Sequence, residues 1–275
     1  KDLMKKLTTQ LFLLLATTST ILNAHEGPWT SARPDGHAPI TVMGDHMHAM
    51  GEWMLSYRYM SMDMEGLLSE SNDLTKVTDT SKYSFGIMGN MIPKTMNMEM
   101  HMFGAMYAIS EKWTFFGMLN YLDNDMDMIM PMNMSMNMGS SGICDLKVAG
   151  LYDLAQWDNG QRMHLNLGLS LPTGSIDEKH TNGNTLGYGM QLGSGTYDFH
   201  PAITYLAQTD HYSYGAQLGG ILRIGENDQD YTVGNKFEAT LWGARKITYS
   251  LSASAKFDYS SQSKVDGEDT RMMKM

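Results

Sequence analysis

The chain is poor in the residues that staple small folds: one cysteine stands among 275 residues. That excludes a disulfide scaffold and a CxxC zinc or redox site. No apolar run approaches the about 20 residues that a membrane-crossing helix needs, so an ordinary helical membrane protein is excluded too. Basic side chains are outnumbered, with 20 Lys and Arg against 30 Asp and Glu and a formal charge of −10. A nucleic-acid partner needs a basic face toward its phosphates, so none is expected. GxSxG, HExxH and P-loop patterns are missing. His200 follows Asp198 at i+2, yet no nucleophile completes a hydrolytic set. The chain does not read as an enzyme. What it does have is 10% aromatic residues and 27 glycines, the composition of a folded chain rather than a disordered one.

Residues 1–24 have the pattern of a secretory signal. Lys5 and Lys6 give a positive start, Leu11 to Leu22 a short apolar core, and Leu22-Asn23-Ala24 a small-residue cleavage site. The mature chain then opens with an extended, periplasm-facing segment over 25–51.

From there the chain alternates with period two, the mark of strands with one apolar face. Met163, Leu165, Leu167, Leu169 and Leu171 oppose His164, Asn166, Gly168 and Ser170. Tyr212, Tyr214, Leu218, Leu222 and Ile224 oppose Ser213, Gln217 and Arg223. Ile247, Tyr249, Leu251, Phe257 and Tyr259 oppose Thr248, Ser250, Lys256 and Asp258. These runs are longer than the about 5–6 residues of an average soluble strand. They suit the about 9–11 residues of a transmembrane β-strand, apolar outward and polar inward.

Short turns are expected near Ile109–Lys112, Trp157–Gly160, Gln208–Asp210 and Arg245–Lys246. Longer links are expected near Glu65–Lys94, Asp127–Gly142, Pro172–Gly189 and Gly225–Tyr231. This alternation of short and long connections is that of an all-β, antiparallel up-and-down transmembrane β-barrel over 52–259, with strands near 52–64, 95–108, 113–126, 142–155, 161–171, 190–207, 211–225, 232–244 and 247–259. That makes about nine strands where bacterial barrels have even counts, with about twelve expected in full. The polar tail 260–275 lacks a closing aromatic-ended strand, so the barrel is expected to be truncated at its C-terminus.

Methionine is the unusual element: 28 residues, most of them between Met43 and Met138 and in phase along the strands. Met54, Met60, Met62 and Met64 oppose Trp53, Leu55, Tyr57 and Tyr59. Met96, Met98, Met100, Met102 and Met106 oppose Phe103, Tyr107 and Ile109. The same register carries on through Met126, Met128 and Met130. If the aromatic face meets lipid, the methionines face the lumen. Thioether sulfur is soft and suits Cu(I) or Ag(I); His46, Met47, His48 and His101 could add ligands, and Asp63, Glu65, Glu99, Asp125 and Asp127 would attract cations. The same stripe equally suits an adaptable apolar lining for a hydrophobic solute. Arg58, Asp145, Lys147, Asp198, Arg223 and Glu238 fall on lumen-facing positions, as paired wall residues or as a selectivity constriction.

Three stretches carry a resemblance: GDHMHAMGEWMLSYRYMSMDMEG (44–66), GLSLPTGSIDE (168–178) and YGMQLGSGTYDFHPAITYLAQ (188–208). They resemble the bacterial outer-membrane family named for the meta-pathway of phenol degradation, in a Met-rich subgroup. The resemblance implies an outer-membrane barrel moving hydrophobic or aromatic compounds, without catalytic residues. The expected partners are outer-membrane lipid and either a small hydrophobic solute or a copper ion, with Cu(I) the one candidate cofactor. A structural barrel without transport is the third reading.

Overall fold

The structure, a computed structural model, describes residues 29–66, 68–69, 72–73, 92–129 and 135–271. The signal segment, Met130 and most of the link after the first long strand lie outside the described residues. The elements are β1 (Trp53–Glu65), β2 (Leu68–Ser69), β3 (Asn72–Asp73), β4 (Ile92–Ser110), β5 (Trp113–Ile129), β6 (Ser135–Ile143) and β7 (Leu146–Gln156). They continue with β8 (Gln161–Leu171), β9 (Tyr197–Gln208), β10 (Tyr212–Ile224), β11 (Tyr231–Thr232), β12 (Lys236–Lys246), β13 (Ser252–Gln262) and β14 (Asp266–Gly267). A single 3-10 turn, Tyr188–Met190, interrupts the loop before β9.

The long strands form one ten-stranded antiparallel sheet in the order β1-β4-β5-β7-β8-β9-β10-β12-β13, with β6 also pairing β5. β6 and β7 share one side of β5: β6 takes its upper half, Tyr121 to Ile129, and β7 its lower half, Trp113 to Met118. The sheet therefore has the up-and-down order read from the sequence. It curls into a half-barrel, and β1 and β13 each have a strand neighbour on one side only among the described residues.

The curl follows from who touches whom. A flat sheet of this many strands at about 4.8 Å spacing would be roughly 40 Å wide. Yet the adjacent residues Ile40 and Thr41 bond to opposite edges. Arg58 of β1 donates to the Ile40 carbonyl at 2.8 Å, and Lys256 of β13 donates to the Thr41 hydroxyl. One peptide unit spans the gap between the two margins.

The outer face is apolar and exposed. Leu55, Phe103, Phe115, Leu119, Leu218, Leu241 and Phe257 all lie open on it. The inner face buries Thr114, Asn120, Asn124, His164, Asn166, Ser170 and Thr204. This is the inverse of a water-soluble fold. A continuous apolar surface of this size marks a membrane face, because each exposed Leu or Phe in water forgoes about 1.5–3 kcal/mol of burial.

The band has edges. Along β5 it runs from Trp113 to Tyr121, about 27 Å at 3.4 Å per residue, before Asp123, Asp125 and Asp127 take over the same face. That is the order of the about 25 Å apolar band of such barrels. At the short-turn end, Trp53 stacks on Tyr107 at 4.3 Å and Trp113 lies 4.9 Å from Tyr152. At the opposite end stand Tyr59, Tyr121, Tyr197 and Tyr259. Two aromatic girdles frame the band.

Three expectations shift. The span Asp127–Gly142 is not an open loop: β5 and β6 continue as a hairpin, with Met126 opposite Met138 and Met128 opposite Met136. The strand expected from 190 starts at Tyr197, because residues 190–196 leave the ladder as a Gly-rich approach. The last strand is Ser252–Gln262 rather than 247–259. Ile247 and Thr248 donate to the Leu251 carbonyl at 2.9 and 3.1 Å, closing a turn. The alternation runs unbroken through that turn, without Gly or Pro to mark it. The tail is not loose either over its described part: Asp266–Gly267 pairs with Tyr231–Thr232, and Arg271 bonds Asp269 at 2.8 Å.

Candidate functional site: a plugged, polar lumen with a methionine rim

Residues 29–52 lie inside the curled sheet. The segment has no ladder of its own, so its backbone polar groups must find partners on the wall. His164 and Asn166 of β8 bond the Gly44 carbonyl at 2.8 and 3.2 Å. Gln217 of β10 donates to the Met43 carbonyl at 3.0 Å, and Ser252 of β13 to the Pro34 carbonyl at 2.6 Å. Gln208 of β9 accepts from Thr30 N–H at 2.9 Å and donates to its carbonyl at 3.1 Å.

Gly44 is required at the deepest point. Its φ is +59°, and a Cβ there would meet Asn166 Nδ2 at 2.9 Å and Leu151 Cδ2 at 3.1 Å. Trp29 and Val42 add an apolar foot, buried against Leu206 and Trp242, with the Arg162 guanidinium 4.7 Å above the Trp29 ring. The sequence offered an extended segment here but no signal that it enters the lumen. The contacts are carbonyls gripped across 120–218 residues of separation.

On the long-loop side of the plug is a cavity of about 500 Å³, lined by Lys147, His200, Gln217, Lys236, Glu238 and Lys256 among others. The lumen-charge candidates divide between this cavity and structural tasks. Lys147 and Glu238 line it, with Glu238 paired to Lys236 at 2.6 Å. Arg58 instead holds the plug, bonding Met43 Sδ at 2.7 Å as well as Ile40. Asp145 anchors the loop after β8, accepting from Gly174 N–H at 2.9 Å and Ser194 N–H at 2.8 Å. Asp198 pairs with Arg223 and accepts from Thr196 and Ser194 hydroxyls at 2.7 and 2.9 Å. Lys256 and Asp258 also face the lumen, and the sequence marks them only by their place in the polar alternation of β13.

The methionines form a ladder on the inner face. Met64, Met96, Met126 and Met138 follow one another across β1, β4, β5 and β6, while Met62 opposes Met98, Met60 opposes Met100 and Met102 lies opposite Arg58. At the long-loop end Met128, Met138, Leu186 and Met190 are buried together, with Met96, Met126 and Met136 packed against them. His101 does not join them. It stands on the outer face, where it shares a 2.8 Å hydrogen bond with the Tyr57 hydroxyl. Its odd position beside the even methionines already placed it there. Asp63, Glu65, Glu99, Asp125 and Asp127 share that outer parity.

His46 and His48 sit in the plug, near the opposite, short-turn end, and not with the ladder. The His46 ring is 4.5 Å from His37 and 4.8 Å from His48, with Asp45 Oδ1 at 3.0 Å from His46 Nδ1. Burial would raise the Asp45 carboxyl, but His46, contact with His37 and the Ala38 N–H outweigh it and hold it well below the usual carboxylate range. Burial, then the neighbouring His46, pushes His48 down to about 4. Met47 and His48 line a separate cavity of about 240 Å³ with Glu52 and Trp53.

An antiparallel sheet with a lipid-facing exterior, a polar interior and a chain segment seated inside defines a plugged membrane-barrel protein. Residues 88–272 match the family described as "Putative MetA-pathway of phenol degradation", and the chain belongs to that family. An outer-membrane channel of Pseudomonas putida F1 shares the fold, with a TM-score of 0.57 at 10% identity over 84% of this chain and 80% of that one. No curated protein matches the sequence significantly.

Proposed function

We propose that this protein is an outer-membrane channel that passes a small aromatic or otherwise hydrophobic solute, without catalysing a reaction on it. The observation that carries the reading is the inside-out wall: apolar residues outside, hydrogen-bonding residues inside, around a cavity of about 500 Å³. The family's description points to phenol degradation, and the fold is that of an outer-membrane channel. Long loops at one end and short turns at the other orient the methionine rim toward the outside. There the buried thioethers and Leu186 offer a flexible, polarizable surface that an aromatic ring can enter.

Copper handling was the competing reading of these methionines. Neither the family's description nor the channel that shares the fold lends it support. The test is uptake of phenol and toluene into proteoliposomes. Uptake should survive Met126→Leu, Met128→Leu and Met138→Leu together, because the lining stays apolar, and should fall when the same positions become Gln. Uptake no faster than in protein-free vesicles would overturn the channel reading.

A further inference from the structure

The geometry points to a divalent metal site inside the plug: we propose that His37, His46 and His48, with Asp45 orienting His46 from behind, hold one borderline transition-metal ion of the Zn(II), Ni(II) or Cu(II) class. His37, Asp45 and His46 each place a donor atom within 4.8 Å of the others. His48 adds a third imidazole, its ring 4.8 Å from that of His46.

The local chemistry is that of a ligand set held ready. Asp45 Oδ2 is fixed by the Ala38 N–H at 2.9 Å, and Oδ1 faces His46 Nδ1 at 3.0 Å. A carboxylate against Nδ1 keeps the ring proton there and leaves the lone pair on Nε2. That Nε2 is buried and has no hydrogen-bond partner, in a residue only 2% exposed. His48 Nε2 is likewise buried without a partner, while Glu52 Oε2, held by the Ala49 N–H, lies 3.7 Å from its Nδ1. A carboxylate-backed imidazole with a free second nitrogen, as at His46, is how proteins orient a metal ligand.

Nitrogen and oxygen donors select this borderline class, whereas Cu(I) prefers the thioethers at the other end. Of the nearby cations, Arg33 is paired with Asp35 at 2.7 Å, and the charge of Arg162, which lies over the Trp29 ring, is accompanied in the same cavity by Glu52 and Glu111. Entry is open, because the His37 side chain is 48% exposed and borders the 240 Å³ cavity with His48. Bound ligands sit about 2.0–2.1 Å from zinc, so an ion would draw residues 37 and 45–48 together and tighten the segment.

The experiment uses the full chain, folded in detergent, stripped with a chelator and titrated with ZnCl₂. Bound zinc is counted after desalting, and hydrogen exchange is followed over residues 37–48. One zinc per chain and slowed exchange there are expected. His46→Asn should abolish binding, and Asp45→Asn, which loosens His46, should weaken it about 10–100-fold. His37→Asn, at a half-exposed position, keeps the test valid if His46→Asn fails to fold, and should weaken binding by at least about tenfold. His180→Asn and Met96→Leu should change nothing. Folded wild-type protein that takes up no zinc, or unchanged affinity in His37→Asn and Asp45→Asn, overturns the proposal. So does zinc lost equally with Met96→Leu. None of these outcomes bears on solute uptake, which tests the channel separately.

Discussion

Replacing Gly44 by Ala should unseat the plug without unfolding the wall. The position has φ +59°, where an L side chain costs about 1–2 kcal/mol. The new Cβ would also press on Asn166 Nδ2 at 2.9 Å and Leu151 Cδ2 at 3.1 Å. Moving the Gly44 carbonyl away from His164 and Asn166 forfeits two hydrogen bonds of about 1 kcal/mol each. The sum, about 3–4 kcal/mol, shifts the seated-to-released ratio about 140- to 700-fold at 1.4 kcal/mol per decade. Hydrogen exchange of peptides within 29–52 reads that ratio directly, since these amides are protected only while seated. Exchange should rise there and stay unchanged in β8 and β9, and bilayer conductance should rise with it. Gly183→Ala is the control: it has φ +88° but nothing within 4 Å of its Cβ. If exchange over 29–52 in Gly44→Ala matches wild type, the carbonyl grip is not what holds the segment.

Other outcomes follow from the same wall. Leu119→Arg, in the middle of the lipid-facing band of β5, should destabilise the protein in bilayers by about 2–4 kcal/mol, while Asp125→Arg above the band should cost little; urea-driven unfolding from vesicles separates them. Asp198→Asn removes one partner of a buried pair with Arg223 and should cost about 3–5 kcal/mol, seen as a lower urea midpoint. Gln217→Leu releases the Met43 carbonyl and should raise exchange over 38–47 without changing the far-ultraviolet circular dichroism.

Much of this wall was legible because a lipid-facing sheet writes its alternation plainly. Leu165, Leu167 and Leu169 against His164, Asn166 and Ser170 gave both the strand and its two faces. Where the pattern misled, the physical reason is specific. The turn at 247–251 keeps alternating and carries neither Gly nor Pro. The β5–β6 hairpin looked like a loop because methionine has little strand preference of its own; its pairing comes from cross-strand thioether contacts. His101 was grouped with methionines on composition although its parity put it outside. The plug was illegible, because a segment recognised through its carbonyls shows no side-chain pattern. The His37–Asp45–His46 grouping was half hidden for the same reason: His46 and His48 stood together in sequence, whereas His37 arrives only through the fold.

Ile40 and Thr41 reach for opposite margins of the sheet at once. The spacing of the two described margins is thus tied to the same two residues that fill the space between them, like staves bent around a former. Spreading of the margins and release of the segment are therefore coupled: β1 and β13 can part only once Ile40 lets go of Arg58 or Thr41 lets go of Lys256.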